Sequence, residues 1–536
     1  FLFDTCCLPL SCSRQRTYKR VYKPYGTPKL RKLMKYLKQK VQQMQGMRSI
    51  TRRTYGFGLL LLIIKNFKER RLYVLKQAKK IAEANHKAAQ KLKGKEPEVL
   101  NQQIEGLIIY GEVILFQAFL QMSASFDYAR ACMGLSKAWG YVQEAEKLSR
   151  EEGVDEDLIL LLQFDLGVFL FFLSFLPEVL GFAARLLSLM GFKGDREKGF
   201  GYLDRVAHSD SIRSPFAYSI LAAKYLYMSE NVFPISPDTT NLANARTALD
   251  EVLVKCPDGL GFLTLHGICL RRFGKHEEAN TIFRDICSRY QAKNVDDSLP
   301  RLNLGNGEFN MFHWQEASDL FSTVEKSETY LRTYNASMFR AICELQQGDV
   351  DAAHNTMTAA LKSGKNDGDF KCFAERYVGN PHSGFWETLI ERDELNWDSQ
   401  EAFQTAQNLL NDFKNDLGIN ATDKGETAVT KKLKHDRKTK EWNVMLSHFV
   451  QARLDSHNGN VEGAIKNFTA VINSMKAKTD FEKTMLYQSY FECADLHYKQ
   501  GNKADAQDLL KKVSKDAHSS RFKSAASSAL AYIAAN

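Results

Sequence analysis

The sequence predicts an all-α protein, an α-solenoid built of stacked antiparallel helix hairpins. Only 11 prolines interrupt 536 residues, and Ala, Leu, Lys and Glu, which rank high in helix propensity, are abundant. Runs of alternating β-branched residues, which strands favour, are few. Small and aromatic residues also recur at a nearly constant period after residue 190. Such self-similarity is the signature of a stacked helical array.

Residues 1–56 form a basic N-terminal arm. They hold fourteen Lys or Arg and the single acid Asp4, a local charge of +13, whereas the whole chain carries +10 and the remainder therefore −3. A basic, acid-poor arm could bind nucleic acid or anionic lipid, or could serve as an organelle presequence. Because charge runs are usually solvated, we expect an unstructured tail or a gene-model extension, and no specific nucleic-acid partner.

Residues 57–190 are predicted to be an N-terminal helical region that includes a hydrophobic hairpin. A membrane-spanning helix needs about 20 consecutive apolar residues, but the longest runs here are Phe57–Ile64 and Leu166–Leu176. Pro177 and Glu178 interrupt the second run, and Arg185 lies in the apolar segment that follows. We therefore expect two short buried helices joined at Pro177, since proline favours the first turn of a helix. A membrane-spanning or re-entrant segment is the alternative.

Residues 191–365 contain the first group of repeats. In TLHGICLRRFGKHEEANTIFRDI, Gly267 is followed by Gly274, Ala279 and Phe283 at intervals of seven, five and four residues. This spacing predicts a small residue where two helices cross, a glycine at the turn and an aromatic side chain between successive pairs. The equivalent alanines are Ala245, Ala279, Ala317, Ala353, Ala464 and Ala506. Their steps of 34, 38, 36 and 42 residues bracket the tetratricopeptide period of about 34.

The last third of the chain is predicted to have two parts. Residues 366–440 are an irregular helical region and charged connection, because SGKNDGD, GNPHSG and TDKGETAVTKKLKHDRKTK are typical of loops and exposed linkers. Residues 441–536 are C-terminal tetratricopeptide-like repeats, with Gly459, Ala464 and Phe468 in one hairpin and Gly501, Ala506 and Leu510 in the next.

The order of these pieces resembles one family. LGVFLFFLSFLPEVLGFAARLLSLMGFKGDREKGFGYL, then GFLTLHGICLRRFGKHEEANTIFRDI, then MLYQSYFECADLHYKQGNKADAQDLLKKV are similar to the tetratricopeptide repeat protein 39 family, grouped with the fungal inclusion body clearance proteins. The resemblance covers roughly residues 60–536, and GFKGDREKG is its most specific piece. It implies a non-enzymatic adaptor of the cytosol or nucleus, sometimes linked to the mitochondrial outer membrane, with roles in handling aggregates and lipid-regulating factors.

No catalytic, cofactor or metal site is predicted. The chain contains no G-x-S-x-G, P-loop, H-E-x-x-H or G-x-G-x-x-G motif. Cys256, His266, Cys269, His276 and Cys287 have the residue types of a zinc site, but the two histidines occupy packing positions of the repeat. Buried cysteine behaves as a small hydrophobe, so we expect core packing instead. The ten cysteines include no C-x-x-C pair, which favours a reduced, intracellular compartment.

The first helix of each repeat is expected to line a concave groove. The inward positions one, four and five residues after the small residue include Arg271, Arg272, Asn306, Phe309, Asn310 and Gln346. Guanidinium groups can hold carboxylates and amides can pair with a peptide backbone, so an acidic or C-terminal peptide is the expected ligand. The alternative is that the two arginines only solvate the surface.

Two functions follow from these patterns, and an enzyme with an unrecognised site is a third that no motif supports. The first is a scaffold or adaptor that binds a protein or peptide in the groove, in the cytoplasm and perhaps the nucleus. The second is a peripheral membrane protein of the mitochondrial outer membrane or another organelle surface, which would use the basic arm and the hydrophobic hairpin. The sequence does not indicate an oligomeric state.

Overall fold

A computed structural model describes the chain in residues 68–92, 94, 96–125, 128–179, 194–227, 241–293, 295–327, 333–364, 383–392, 394–416, 437–477, 480–517 and 520–535. Within these ranges the regular structure is entirely helical, as predicted. The predicted basic arm, residues 1–56, lies outside the described residues, as does most of the charged connection.

Twenty helices are described, and they are numbered here in chain order. They are α1 Lys68–Ala89, α2 Pro97–Ser125, α3 Tyr128–Leu148, α4 Glu156–Val179, α5 Arg196–Ala207, α6 Ser214–Tyr227, α7 Asn241–Lys255, α8 Leu260–Arg272, α9 His276–Ala292, α10 Ser298–Asn310, α11 Trp314–Glu325, α12 Thr333–Gln346, α13 Val350–Ser363, α14 Gly384–Arg392, α15 Gln400–Asp416, α16 Arg437–His457, α17 Val461–Ser474, α18 Asp480–Lys499, α19 Lys503–Asp516 and α20 Ser520–Ala535.

These helices form two compact units. The first comprises the described residues up to Lys224 together with Thr247–Leu265, and the second comprises the described residues of Tyr225–Arg246 and those from His266 onward. In the first unit α4 and α5 cross at two glycines. A Cβ atom on Gly199 would lie 3.1 Å from the backbone oxygen of Gly167. The predicted small residue at this crossing is therefore confirmed, because a side chain would force the helices apart.

The apolar run beginning at Leu166 lies in α4, which continues through Pro177 to Val179. The predicted junction of two short helices at Pro177 is therefore wrong. A proline in the last turn removes only one backbone donor, and the helix tolerates this so close to its end. The second half of the predicted hairpin, residues 180–193, lies outside the described residues. None of the described helices combines the length and the apolar character needed to cross a bilayer.

In the second unit the predicted repeat positions occupy the crossings of paired helices. Ala279, Ala317, Ala464 and Ala506 are fully buried. A Cβ atom on Gly267 would lie 2.7 Å from the Phe283 ring, so only glycine allows α8 and α9 to approach this closely.

The turns of these hairpins are left-handed, with φ between +75° and +86° at Gly274, Gly348, Gly459 and Gly501. Glycine adopts this conformation at no steric cost. The hairpin of α10 and α11 has Phe312 at the same place, with φ +66°.

A single cluster of buried apolar side chains extends through the second unit from Leu302 to Leu496. It contains repeat residues such as Phe321 and Phe468, and also residues between the two groups of repeats, such as Trp386 and Trp397. The irregular region at 366–440 thus contributes part of the core.

Candidate functional site

The residues predicted to line the groove lie on three helices. Arg271 and Arg272 end α8, Asn306, Phe309 and Asn310 lie in α10, and Gln346 ends α12. Four of these six are buried and only Arg272 and Gln346 remain half-buried. The expectation of an open groove is therefore wrong here, although binding of a partner by these residues stays a prediction.

The chain itself fills this place. Residues 383–392 and 394–397, called here the inserted segment, pack against a surface formed by Arg271, Gly274, His276, Phe309, Asn310 and Phe312, called here the middle groove.

A buried ion pair joins the groove to the inserted segment. Nε of Arg271 lies 3.2 Å from Oε1 of Glu394, and both side chains are only 3% exposed. Nη1 of Arg271 also donates to the backbone oxygen of Asn303 at 2.7 Å. Two opposite charges away from water attract strongly, but each also loses its hydration. The pair consequently selects a carboxylate at this position more than it adds net stability.

Asn310 holds the inserted segment at two further points. Its Nδ2 donates to Oε2 of Glu394 at 2.6 Å, and its backbone oxygen accepts from Nε1 of Trp397 at 2.8 Å. The residues between them, 394–397, form no regular secondary structure. Glu394 and Trp397 are thus bound as two anchors, three residues apart.

The backbone of residues 396–398 lies against the turn between α8 and α9. Nε2 of His276 is 3.0 Å from the Asn396 oxygen, and Nδ2 of Asn396 donates to the Arg272 oxygen at 3.4 Å. A Cβ atom on Gly274 would lie 2.8 Å from the Asp398 nitrogen. Glycine is therefore required at this turn both for its positive φ and for the approach of the inserted segment.

Aromatic rings form the apolar part of the site. Phe385 lies 5.3 Å from both Phe309 and Trp314, and Trp397 stacks on Phe312 at 5.8 Å between ring centroids. Such pairs contribute about 0.5–1.5 kcal/mol each beyond the area they bury.

Helix α14 is enclosed on all sides, since residues 383–390 are all buried. The Glu387 carboxylate accepts from Oγ of Ser383 at 2.9 Å and from Nε1 of Trp442 at 3.0 Å. With Phe385, Trp386, Leu389 and Ile390 in the core cluster, this helix is a structural element of the second unit.

Sequence reasoning missed Glu394, Trp397 and Phe312. Residues 366–440 matched no repeat, so their two tryptophans, Trp386 and Trp397, were read as part of a loop-rich region. Two large aromatic residues between polar loops were a usable signal, because tryptophan rarely stays exposed. The replacement of the turn glycine by Phe312 was another.

The residues considered for zinc binding have other contacts. Nε2 of His276 lies beside the Asn396 oxygen, and Sγ of Cys269 is 3.9 Å from the Leu242 oxygen. Burial raises the pKa of Cys287 to about 12, so its thiol stays protonated, whereas a zinc ligand must be a thiolate.

Glu308, His313 and Glu316 are the group within the described ranges whose atoms lie close enough together to hold a metal ion. The Arg284 guanidinium already bonds the Glu308 carboxylate and lies 3.4 Å from Glu316, and Nδ1 of His313 lies 2.8 Å from Glu308. The buried charge of Glu308 is therefore balanced by protein groups.

The first unit contains a separate buried charge cluster. Glu112 forms an ion pair with Arg213, with both side chains less than one-tenth exposed, and also hydrogen-bonds to Asp165. Burial raises the pKa of both carboxyl groups, and for Asp165 the adjacent Glu112 carboxylate raises it further, to well above its usual value. Two carboxyl groups in this arrangement share one proton, and the arginine balances the remaining charge.

Comparison with known proteins gives one family and two structural likenesses. A sequence model of the Iml2/Tetratricopeptide repeat protein 39 family matches residues 72–366, just over half of the chain. The crystal structure of the P58(IPK) TPR domain is 13% identical, with 63% of this chain and 93% of that chain covered and a TM-score of 0.16. A circular tandem repeat protein is 12% identical, with 91% and 95% covered and a TM-score of 0.19.

Proposed function

The chain belongs to the Iml2/Tetratricopeptide repeat protein 39 family, and from this premise we propose that it is a non-enzymatic scaffold that binds a protein partner at its middle groove. Helical repeats of this type serve protein interaction, because paired helices present a large surface with few backbone groups to satisfy. The observation that supports the groove as the binding place is its polar recognition chemistry, namely Arg271 and Asn310 around one carboxylate.

The finer role that we propose is clearance of protein aggregates or regulation of lipid-related factors in the cytoplasm, with the nucleus as a further location. The family resemblance supports this role.

Proximity labelling with the full chain tests the scaffold function. The informative variant is Arg272→Glu with Gln346→Glu, because these two predicted groove residues are half-buried. Lys511→Glu and Lys512→Glu, on the exposed side of α19, make a matched control with the same number of changed side chains.

We expect the first variant to lose a discrete set of labelled proteins at least fivefold and the control to retain them, with circular dichroism of both variants unchanged. Equal labelling by all three chains would contradict binding at the middle groove.

A second candidate is a contact with an anionic organelle surface such as the mitochondrial outer membrane. The observation that favours it is the exposed face of α1 and its end, which carries Lys80, Lys87 and Lys91. Lysines on one face attract anionic headgroups, and salt screens that attraction within about 10 Å at 0.1 M. Flotation with phosphatidylserine vesicles at low salt should fall when these three lysines are changed to glutamate. Absence of the wild-type chain from the floating fraction would contradict this candidate.

A further inference from the structure

The inserted segment has two parts that differ in how they are held. Residues 383–390 are enclosed on every side and belong to the core. Residues 394–397 run along the middle groove, with Asn396 half-buried and the following residues Asp398 and Ser399 exposed. The second part therefore lies at the surface of the unit and contacts the groove through Glu394, Trp397 and the backbone.

We infer that the middle groove is a recognition site for an extended peptide with a carboxylate side chain three residues before a tryptophan, and that residues 394–397 are a resident copy of this ligand. A partner that carries the same pair of anchors replaces the resident copy. This inference rests on the proposed function and specifies the chemistry of its partner.

The polar contacts support recognition more than simple packing. A well-packed apolar pair at Arg271 and Glu394 would stabilise the fold as well as the ion pair does, because burial removes the hydration of both charges. The groove instead provides a guanidinium and an amide for one carboxylate, at 3.2 and 2.6 Å. Removal of the carboxylate leaves Arg271 buried without its counter-charge, and this makes the site selective for an acidic residue.

The backbone at Phe312 supports the same conclusion. This residue adopts φ +66°, where the other repeat turns have glycine, and its ring stacks on Trp397. Strained residues that persist in this region are concentrated at ligand clamps and active sites. The strain at Phe312 is offset by contact with the tryptophan anchor and with Phe385, which remains in place when residues 394–397 leave.

Exchange of residues 394–397 leaves α14 in the core. Only Leu395 and Trp397 lose buried apolar contacts, whereas the four core residues of α14 keep theirs. The resident copy competes as a tethered ligand, whose effective concentration is of millimolar order for a short connection. A free peptide consequently binds the wild-type chain weakly, and binds well where the resident anchors are removed.

The test uses the full chain and a fluorescein-labelled peptide of residues 394–401, ELNWDSQE, acetylated and amidated. The receptor is the variant Glu394→Ala with Trp397→Ala, whose helicity is checked by circular dichroism. We expect this variant to bind the peptide at least tenfold more tightly than the wild-type chain does, and its melting temperature to rise with peptide concentration. Peptides with Glu→Gln or with Trp→Ala should bind at least tenfold more weakly than the parent peptide.

A helical variant that binds the parent peptide no better than the wild-type chain overturns the inference, as does equal binding of the Glu→Gln peptide. Should the double variant not fold, Glu394→Gln alone is used, with at least threefold tighter binding than wild type expected and equality overturning the inference. A concentration-dependent dimer of the wild-type chain that the peptide dissociates would make a second copy the occupant and would overturn the assignment to a partner.

This test is independent of proximity labelling. Peptide binding without any groove-dependent partner would leave the recognition site in place and remove the proposed scaffold function. Groove-dependent partners without peptide binding would do the reverse.

Discussion

Phe312 occupies a turn position that four other hairpins of the second unit give to glycine. A side chain in the left-handed region costs about 1–2 kcal/mol. The ring offsets this cost by contacting Trp314, Phe385 and Trp397. Burial and ring contacts together contribute about 2–4 kcal/mol for a half-buried phenylalanine, so the contacts outweigh the strain.

Phe312→Gly should therefore destabilise the second unit by about 1–2 kcal/mol, even though it relieves the backbone. Gly459→Ala is the matched control, because its φ is +75° and a Cβ atom there meets nothing within 4 Å. It should cost about 1 kcal/mol from strain alone. Urea unfolding followed by circular dichroism measures both, and a more stable Phe312→Gly variant would show that strain dominates.

Asp165 makes the stability of the first unit depend on pH. Burial and the Glu112 carboxylate raise its folded pKa, so the folded chain retains a proton that the unfolded chain releases. The stability linked to this proton is fully present below the unfolded pKa, about 3.9, and is lost as pH rises through the folded pKa.

Asp165→Asn should flatten this dependence, because an amide can donate to Glu112 without a titratable proton. We expect the wild-type melting temperature to fall between about pH 5 and pH 8, and that of the variant to fall less. Asp157→Asn, an exposed change on the same helix, should keep the wild-type slope. Parallel wild-type and Asp165→Asn profiles would place the shared proton elsewhere.

At the scale of elements, the contact between α8 and the inserted segment changes the expected effect of substituting its arginines. On the sequence alone, changing Arg271 and Arg272 to glutamate is expected to leave the fold intact. The structure instead buries Arg271 beside Glu394, so a glutamate there would place two carboxylates together without water.

Arg271→Glu should thus cost about 3–5 kcal/mol, whereas Arg272→Glu, at a half-buried position, should cost about 1 kcal/mol. The exchange Arg271→Glu with Glu394→Arg restores opposite charges and should recover at least part of the loss. A double-mutant cycle by urea unfolding measures the coupling between the two side chains. A coupling energy near zero would mean that the pair does not hold the segment.

The crossing of α10 and α11 gives another test of the repeat register. Ala317 is fully buried, and an arginine there must either carry an unpaired charge into the core or separate the helices. Ala317→Arg should destabilise the second unit by more than about 3 kcal/mol. Gln315→Arg, exposed on the same helix, should change stability by less than about 0.5 kcal/mol. Similar thermal melts of the two variants would contradict this register.

At the scale of the molecule, the sequence was informative where structure repeats along the chain. Ala279, Ala317 and Phe283 were predictable because each hairpin repeats the same local geometry, and a glycine or alanine at a crossing has one physical reason. The inserted segment was not predictable in this way, because Glu394 and Trp397 act through residues more than 80 positions away and no period relates them.

The inference about the candidate site was correct in chemistry and incomplete in geometry. The prediction that Arg271 faces a carboxylate agrees with its contact to Glu394. An arginine can be placed on a helix face from its spacing, but spacing cannot show whether that face meets solvent, a partner or a distant part of the same chain. Pro177 illustrates a similar limit, because a local rule about proline could not fix where α4 ends.

The distance along the chain between the groove and its inserted segment matters during synthesis. His276 and Asn396 are 120 residues apart, and a ribosome adds about 5–20 residues per second. Each newborn chain therefore spends about 6–24 s with Arg271 and the phenylalanines of the groove translated but their own covering residues not yet made. A chaperone or a cotranslationally recruited subunit would meet the site vacant in that interval, before the resident ligand exists to compete.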